Sequence, residues 1–332
     1  MGPARPIAPP GTVRCRLPTV VRTGREGREG RGSRRPAQES TVARTVREDR
    51  GARRRFRRGD MTRTVTLCVT VGCDGSRASR AAAEWAAREA RMLGLPLHLL
   101  HVREPDHPSR AAWSGDTADA LAARHPGLDV RAEQFTGRPA DVLADLARDA
   151  ALLVLGSRAP GRVGGFLAGS VAHAVLARTE RPVVLVREGA GHHDDTESRM
   201  PVVLGLDLAH PDARLIGFAF AAAARRGTTL RIVHDGDRRP EGEPPSAGPR
   251  TLRRVLAPGE ILRPWREKLP DVPVAEEDLC GTPGAHLVGL SREASLVVIG
   301  RQIRAGFGAR LGPVAHAVLH RATAPVAVIP HV

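Results

Sequence analysis

GSVAHAVLARTERPVVLVR, residues 169–187, returns near the end of the chain as GPVAHAVLHRATAPVAVIP, residues 312–330. Ten of the nineteen positions match, at an offset of 143. Just upstream, 137–158 aligns with 281–302 at an offset of 144, and Gly137, Pro139, Leu143, Leu146, Arg148, Ala150, Leu152, Val154 and Gly156 recur there. At the front of each half, Leu67–Asp74 and Val202–Asp207 are apolar runs that end in an aspartate. Self-similarity at a fixed period means one structural unit used twice. The chain therefore reads as a tandem duplication. Residues 1–60 form an extension, 61–188 the first unit, 189–200 a polar, Gly-containing linker, and 201–332 the second unit.

Each unit alternates strand and helix. In the first, Thr64–Val71 is a Val/Thr-rich strand. Ser76 is placed to cap a helix whose apolar face recurs at Ala78, Ala82, Trp85, Ala86 and Leu93, and Gly94 ends it. Pro96–Val102 is a strand, Thr117–Arg124 a helix, Val130–Phe135 a strand. Pro139 opens a helix that runs to Asp149. Ala151–Leu155 is a continuous apolar run, the pattern of a strand buried on both faces. After a Gly-rich loop come a helix over 170–178 and a last strand, Pro182–Val186. The second unit repeats the order, with a Pro/Gly-rich insert at 236–250. The pattern predicts an α/β fold, with a five-stranded parallel sheet in each repeat and helices on both faces, Rossmann-like in its winding.

Composition narrows the function. The 332 residues carry a formal net charge of +15, but 1–60 hold 17 Arg against six acidic residues, so +11 of it sits there. Nucleic acid is thus an expected partner only for the Arg-rich 1–60, whose sparse apolar residues predict disorder. The competing reading takes Met61 as the functional start, and patterned sequence does begin just after it. Lys268 is the chain's single lysine and has no Gly-rich run before it, which excludes a Walker-type phosphate loop. Cys15, Cys68, Cys73 and Cys280 show neither CxxC nor metal-ligand spacing. Reduced thiols, no apolar run near 18 residues and no signal-peptide core predict a cytoplasmic protein without membrane partners.

The chemistry is expected in LGSRAPGRVGGFLAGSV, residues 155–171, between a buried strand and a helix. Ligands of open α/β sheets bind at the carboxyl ends of such strands. Glycines let a backbone approach a phosphate with its N–H groups inward, and a helix start at Gly169-Ser170 favours an anion. Arg158 and Arg162 add charge. Asp74, at the end of the first strand, is either an acceptor for an adenine amino or ribose hydroxyl group or a cap for the following helix. The glycines are either a phosphate cradle or simple turn formers.

At these residues the chain resembles a tandem universal stress protein. The family's nucleotide signature is Gly, two residues, Gly, nine residues, then Gly and Ser or Thr. Gly156 takes the first position, and Gly169-Ser170 falls thirteen and fourteen residues on. The middle position is Ala159, a departure, with Gly161 two residues later placed to take over the turn. The resemblance covers 61–332 and implies an adenine-nucleotide alpha-hydrolase-like fold. It implies a nucleotide site built from Gly72, Asp74, Val102, Gly156, Arg158, Gly161, Gly169, Ser170 and Val171. ATP or another adenine nucleotide, with Mg2+ as its accompanying ion, is the implied ligand. Pseudo-symmetric packing of the two halves through their last strands, homodimer formation and a role in the stress response are also implied.

The second unit departs further. The run from Gly300 to Gly312 is one residue shorter, Ile303 holds the middle-glycine position, and Pro313 replaces the Ser, removing a hydroxyl and an N–H. Nucleotide is therefore expected in the first half and not in the second. Two functional readings stand: a nucleotide-binding regulatory protein, and a nucleotide-independent dimerisation or interaction scaffold of the same fold. An enzyme is the weaker reading, because no nucleophile–base pair or metal carboxylate pair accompanies Asp74. His173 and His316, at matching places in the final helices, read as packing or surface residues. Cys73 adjoins Asp74, so its thiol can line the pocket.

Overall fold

The computed structural model describes residues 67–104, 115–157, 171–189, 200–234, 257–279, 281–303 and 311–331. The extension 1–60, the linker's interior, the insert at 236–250 and most of the glycine loop lie outside the described residues.

The first half runs β1 (Cys68–Cys73), α1 (Arg77–Leu93), β2 (Leu97–Arg103), α2 (Gly115–Arg124), β3 (Val130–Thr136), α3 (Pro139–Leu146), β4 (Ala150–Ser157), α4 (Val171–Arg178) and β5 (Val183–Arg187). The second runs β6 (Val202–Leu206), α5 (Ala213–Arg226), β7 (Leu230–His234), α6 (Pro258–Lys268), β8 (Val274–Asp278), α7 (Pro283–Leu290), β9 (Leu296–Gln302), α8 (Pro313–Arg321) and β10 (Val326–His331). The strand order is β3-β2-β1-β4-β5-β10-β9-β6-β7-β8. Within each half every pairing is parallel. The expected five-stranded sheets are thus present, but they are joined into one ten-stranded sheet. The join is antiparallel, with Val326 opposite Leu185, Ala327 opposite Val184 and Val328 opposite Val183.

Helix α1 shows why these residues fold as they do. Ser76 accepts from the Ser79 N–H, and Gly94 closes the helix in the left-handed conformation at φ 64°. The buried stripe is nearly all alanine, from Ala78 to Ala90, so the helix lies close on the sheet. Helix α5 repeats the plan with Asp212 as its N-cap and Gly227, at φ 59°, as its C-cap residue.

Two cores flank the sheet. One packs β residues such as Val69, Val71, Val184 and Ala327 under α1, α5 and α6. The other packs Leu100, Val183, Leu185, Val326 and Val328 under α3, α4, α7 and α8. Both cores run across the β5–β10 join. The free edges are different: β3 (VRAEQFT) and β8 (VAEED) are polar and partly exposed, which discourages further strand addition.

Buried charges tie the halves together. The Glu89 carboxylate, 1% exposed, receives Arg225 at 2.9 Å and Arg226 at 2.5 Å, and Arg226 also lies over the Trp85 ring. Under the opposite core, Arg187 donates to the Leu319 carbonyl at 2.9 Å and Arg301 to the Thr179 carbonyl at 2.5 Å. Each of these arginines satisfies a carbonyl at a helix end in the other half, where the dipole favours a cation. Among the described residues no helix is long and apolar enough to cross a membrane.

Glu89→Ala leaves Arg226 buried without its carboxylate, which costs about 3–5 kcal/mol for such pairs. Arg148→Ala removes an exposed i,i+3 pair with Asp145 and is expected to cost under about 1 kcal/mol. Urea denaturation of both variants checks the contrast; equal small effects would show that the buried pair does not hold the halves.

Candidate functional site

Strand order reverses direction at β1: β2 lies on one side and β4 on the other. At such a switch point the following loops leave to opposite faces and open a crevice at the strands' carboxyl ends. A cavity of about 140 Å³ lies there, lined by Gly72, Cys73, Asp74, Ser79, Leu100, Val102, Pro139, Leu143, Leu155, Gly156, Val171 and Ala172. Of the residues singled out from sequence, Gly72, Asp74, Val102, Gly156 and Val171 meet at this cavity. Arg158, Gly161, Gly169 and Ser170 lie outside the described residues.

The cavity has an apolar floor and polar ends. Leu100, Leu143 and Leu155 are almost wholly buried. A Cβ on Gly72 would fall 2.7 Å from Leu155 Cδ2 and 3.2 Å from Leu143 Cδ1, so glycine is what allows those leucines to close the floor. Gly156 is more constrained: its Cβ would lie 2.6 Å from both the Ala78 carbonyl carbon and the Ser79 nitrogen. Backbone cannot yield as a side-chain tip can, so Gly156 is required by the contact of β4 with the start of α1, whatever the site binds.

The turn from β1 into α1 holds itself in place. The Asp74 carboxylate accepts from the Ser76 N–H at 2.9 Å, Ser76 Oγ accepts from the Ser79 N–H at 3.1 Å, and Arg80 donates to the Gly75 carbonyl at 2.8 Å. The His101 ring is 2.9 Å from the Cys73 carbonyl oxygen. Asp74 therefore does perform the turn role, with one carboxylate oxygen, while remaining exposed at the cavity rim. The Cys73 thiol is pushed up to about 12 by burial, with Asp74's charge adding to it, so it is a packing group and not a nucleophile at neutral pH.

Sequence reasoning missed the aliphatic lining. Leu100, Leu143, Leu155 and Ala172 read as ordinary core; in the structure Gly72 pairs with Leu100, which puts it on one face with Leu100 and Val102. The starts of α3 and α4, at Pro139 and Val171, both face the cavity, and helix starts favour anions.

The second half lacks the backbone-tight contact. A Cβ on Gly300, the counterpart of Gly156, would meet the His331 side chain at 2.7 Å and Leu215 Cδ2 at 3.2 Å instead of helix backbone. Asp207 accepts from the Ala209 N–H at 2.9 Å and is 3.0 Å from the His210 ring. Helix α8 starts at Pro313 with no side-chain cap. His316 is exposed, its Nε2 2.9 Å from that of His320.

A family model described as the universal stress protein family matches residues 68–187 and 199–330. A universal stress protein of Mycobacterium tuberculosis is 33% identical over 287 residues, covering 78% of this chain and 96% of its own length. One from Mycolicibacterium smegmatis is 34% identical over 290 residues, covering 79% and 96%. Among solved structures, a universal stress protein from Archaeoglobus fulgidus superposes with a TM-score of 0.55 at 17% identity, over 79% of this chain and 98% of its own. That likeness supports the fold.

Gly156→Ala is expected to destabilise the ligand-free protein by at least about 1–3 kcal/mol, the cost of overpacking. Chemical denaturation without any nucleotide checks it. Unchanged stability would mean that the glycine serves only ligand approach.

Proposed function

Because the chain belongs to the universal stress protein family, we propose that it is a tandem universal stress protein whose first half, 61–188, binds an adenine nucleotide and whose second half, 201–332, is a degenerate partner domain. The observation that carries this reading is the cavity at the β1 switch point, with Gly72, Asp74, Val102, Gly156 and Val171 on its walls. Its leucine floor suits a flat apolar base. The starts of α3 and α4 suit phosphate oxygens, and the Gly169-Ser170 pair would extend that cradle. Asp74 at the rim suits a ribose hydroxyl or exocyclic amine. Arg158 and Gly161 belong to the same reading.

ATP fits this donor set as the ligand. Mg2+ would accompany its phosphates, held through phosphate oxygens and water. The protein's own groups bind and orient. Among the described residues none of the cavity's side chains is a poised nucleophile, so binding rather than turnover is the function proposed, as a stress-response regulator in the cytoplasm. Within this reading, the β5–β10 pairing takes the place of a contact between separate subunits. A homodimer of the whole chain would use another surface.

The asymmetry has a physical basis. Pro313 lacks both the hydroxyl and the N–H that Ser170 offers at the matching position. Losing two or three hydrogen bonds to a charged group, at roughly 1.5–3 kcal/mol each, lowers affinity by orders of magnitude.

Isothermal titration with ATP tests the reading. Val171 is 37% exposed at the cavity's edge, so Val171→Trp fills the site without opening the core, and Val314→Trp is the matching change in the second half. The wild type is expected to bind one equivalent. Val171→Trp should lose at least about tenfold in affinity, 1.4 kcal/mol, and Val314→Trp should not. Loss in Val314→Trp alone would move the site to the second half. No binding to the wild type would favour the nucleotide-independent scaffold.

A further inference from the structure

At the amino ends of the first three strands, away from the cavity, a second group of side chains comes together. Strand pairing sets Thr70 beside His98 and His98 beside Arg131. Cys68 lies two residues before Thr70 and Glu133 two after Arg131, so all five share one face of the sheet. Cys68 Sγ is 3.4 Å from Thr70 Oγ1. His98 Nε2 is 3.6 Å from the Glu133 carboxylate, and the ring interacts with the Cys68 thiol. Cys68 is half-buried, open enough for a small reagent and enclosed enough for its neighbours to matter.

We propose that Cys68, paired with His98 and steered by Glu133, is a reactive thiolate and a site of thiol–disulfide exchange with low-molecular-weight disulfides. Nucleophile, imidazole and orienting carboxylate stand in sequence across three neighbouring strands, the arrangement that activates thiols. The electrostatics agree. Burial raises the thiol, and Asp149 nearby adds to that, but hydrogen bonds to His98 and Thr70 and the imidazolium charge outweigh both, leaving Cys68 below its ordinary value. Burial pulls His98 down, yet Cys68 and Glu133 together hold it up at about 9. Arg131, a further cation on this face, pairs with Asp129 at 2.7 Å. Cys73, on the same strand but the other face, is pushed the opposite way.

The step is balanced. The Cys68 thiolate attacks one sulfur of R–S–S–R; a new S–S bond forms, the old one breaks, and RS⁻ leaves. One disulfide is consumed and one is made. His98 can supply the proton that RS⁻ takes, because the ring loses its anionic partner as Cys68 is capped. Cys73 points to the opposite core, so the product is a mixed disulfide with the small thiol. The site is independent of nucleotide, being at the other end of the strands.

The test uses full-length native protein without denaturant. Iodoacetamide labelling of Cys68 is followed by peptide mass spectrometry from pH 6 to 9, with N-acetylcysteine as reference, and glutathione disulfide is then used as the exchange probe. At pH 6.5 Cys68 should label faster than the reference, its labelling midpoint shifted to lower pH, and should take up one glutathione while Cys73 takes none. His98→Gln should slow labelling and move its midpoint up to or above that of an ordinary thiol, because burial and Asp149 then act without the opposing imidazole. Glu133→Gln should shift it less in the same direction, and carries the test if His98→Gln does not fold. Labelling no faster than the reference, or an unchanged pH profile in the folded variants, overturns the proposal.

Discussion

The β5–β10 pairing is the contact on which the rest of the architecture depends. Left alone, each half would end in a strand of valines with one unpaired edge, a template for aggregation. Joined antiparallel, Val183, Val184, Leu185, Val326, Ala327 and Val328 are at most 3% exposed. Burying each Val or Leu side chain is worth roughly 1.5–3 kcal/mol. The charges at the join then fix which helices face each other: Glu89 under α5 on one face, Arg187 and Arg301 against helix ends on the other. These groups contribute most by being costly to mispair. A slipped register would strand a buried carboxylate or guanidinium, and that penalty exceeds the cost of exposing any single valine of the join.

Much of the fold is legible in the residues alone, for reasons that differ from place to place. Ser76 and Gly94 mark the ends of α1 because capping is local chemistry. The repeat reveals two equivalent units because the same buried positions need the same residue types. Local pattern is weaker at strand ends. β1 reaches Cys73, two residues past the expected Val71, because Gly72 and Cys73 find partners in Leu100 and His101. The fusion of two sheets into one is not visible in periodicity, since it depends on pairing across 140 residues of chain. Nor is the Glu89 pair with Arg225 and Arg226: a charged residue inside an alanine stripe gives no sign of a partner on another helix. At the cavity, glycines and an aspartate stand out in the sequence, while Leu100 and Leu143 do not, because an apolar wall of a pocket and an apolar core position use identical residues.

The glycines at the cavity carry more than one burden. Gly156 sits against the backbone of Ala78 and Ser79, so it is needed for packing before any ligand arrives. Gly72 makes room for Leu143 and Leu155. The same close approach brings the start of α1 and the ends of β1 and β4 together, which is what produces a crevice at this point. Packing and site are therefore one geometric requirement seen from two sides, and substitution of these glycines cannot separate them. Residues at the rim, such as Val171, can.

Fusing the halves in one chain also loosens what each must do. A separate subunit has to keep both its edge strand and its site if every copy is to work. In a tandem chain the second half meets its structural duty through β10, Ala327 and Val328 against β5, and through Arg301 on the end of α4. Of those contacts only Arg301 comes from the carboxyl end of β9, and it reaches the end of α4 on the opposite face from the space at Gly300. There the sequence is free to place Pro313 at the start of α8, to shorten the run from Gly300 to Gly312, and to fill the space above Gly300 with His331 and Leu215. Each change would be costly at a working phosphate cradle and is nearly neutral for the sheet. The departures cluster at the carboxyl ends of β6 and β9 while the joining strand keeps its Val-rich pattern, which is the distribution expected under the proposed reading, with one half retained for its edge and the other for its pocket.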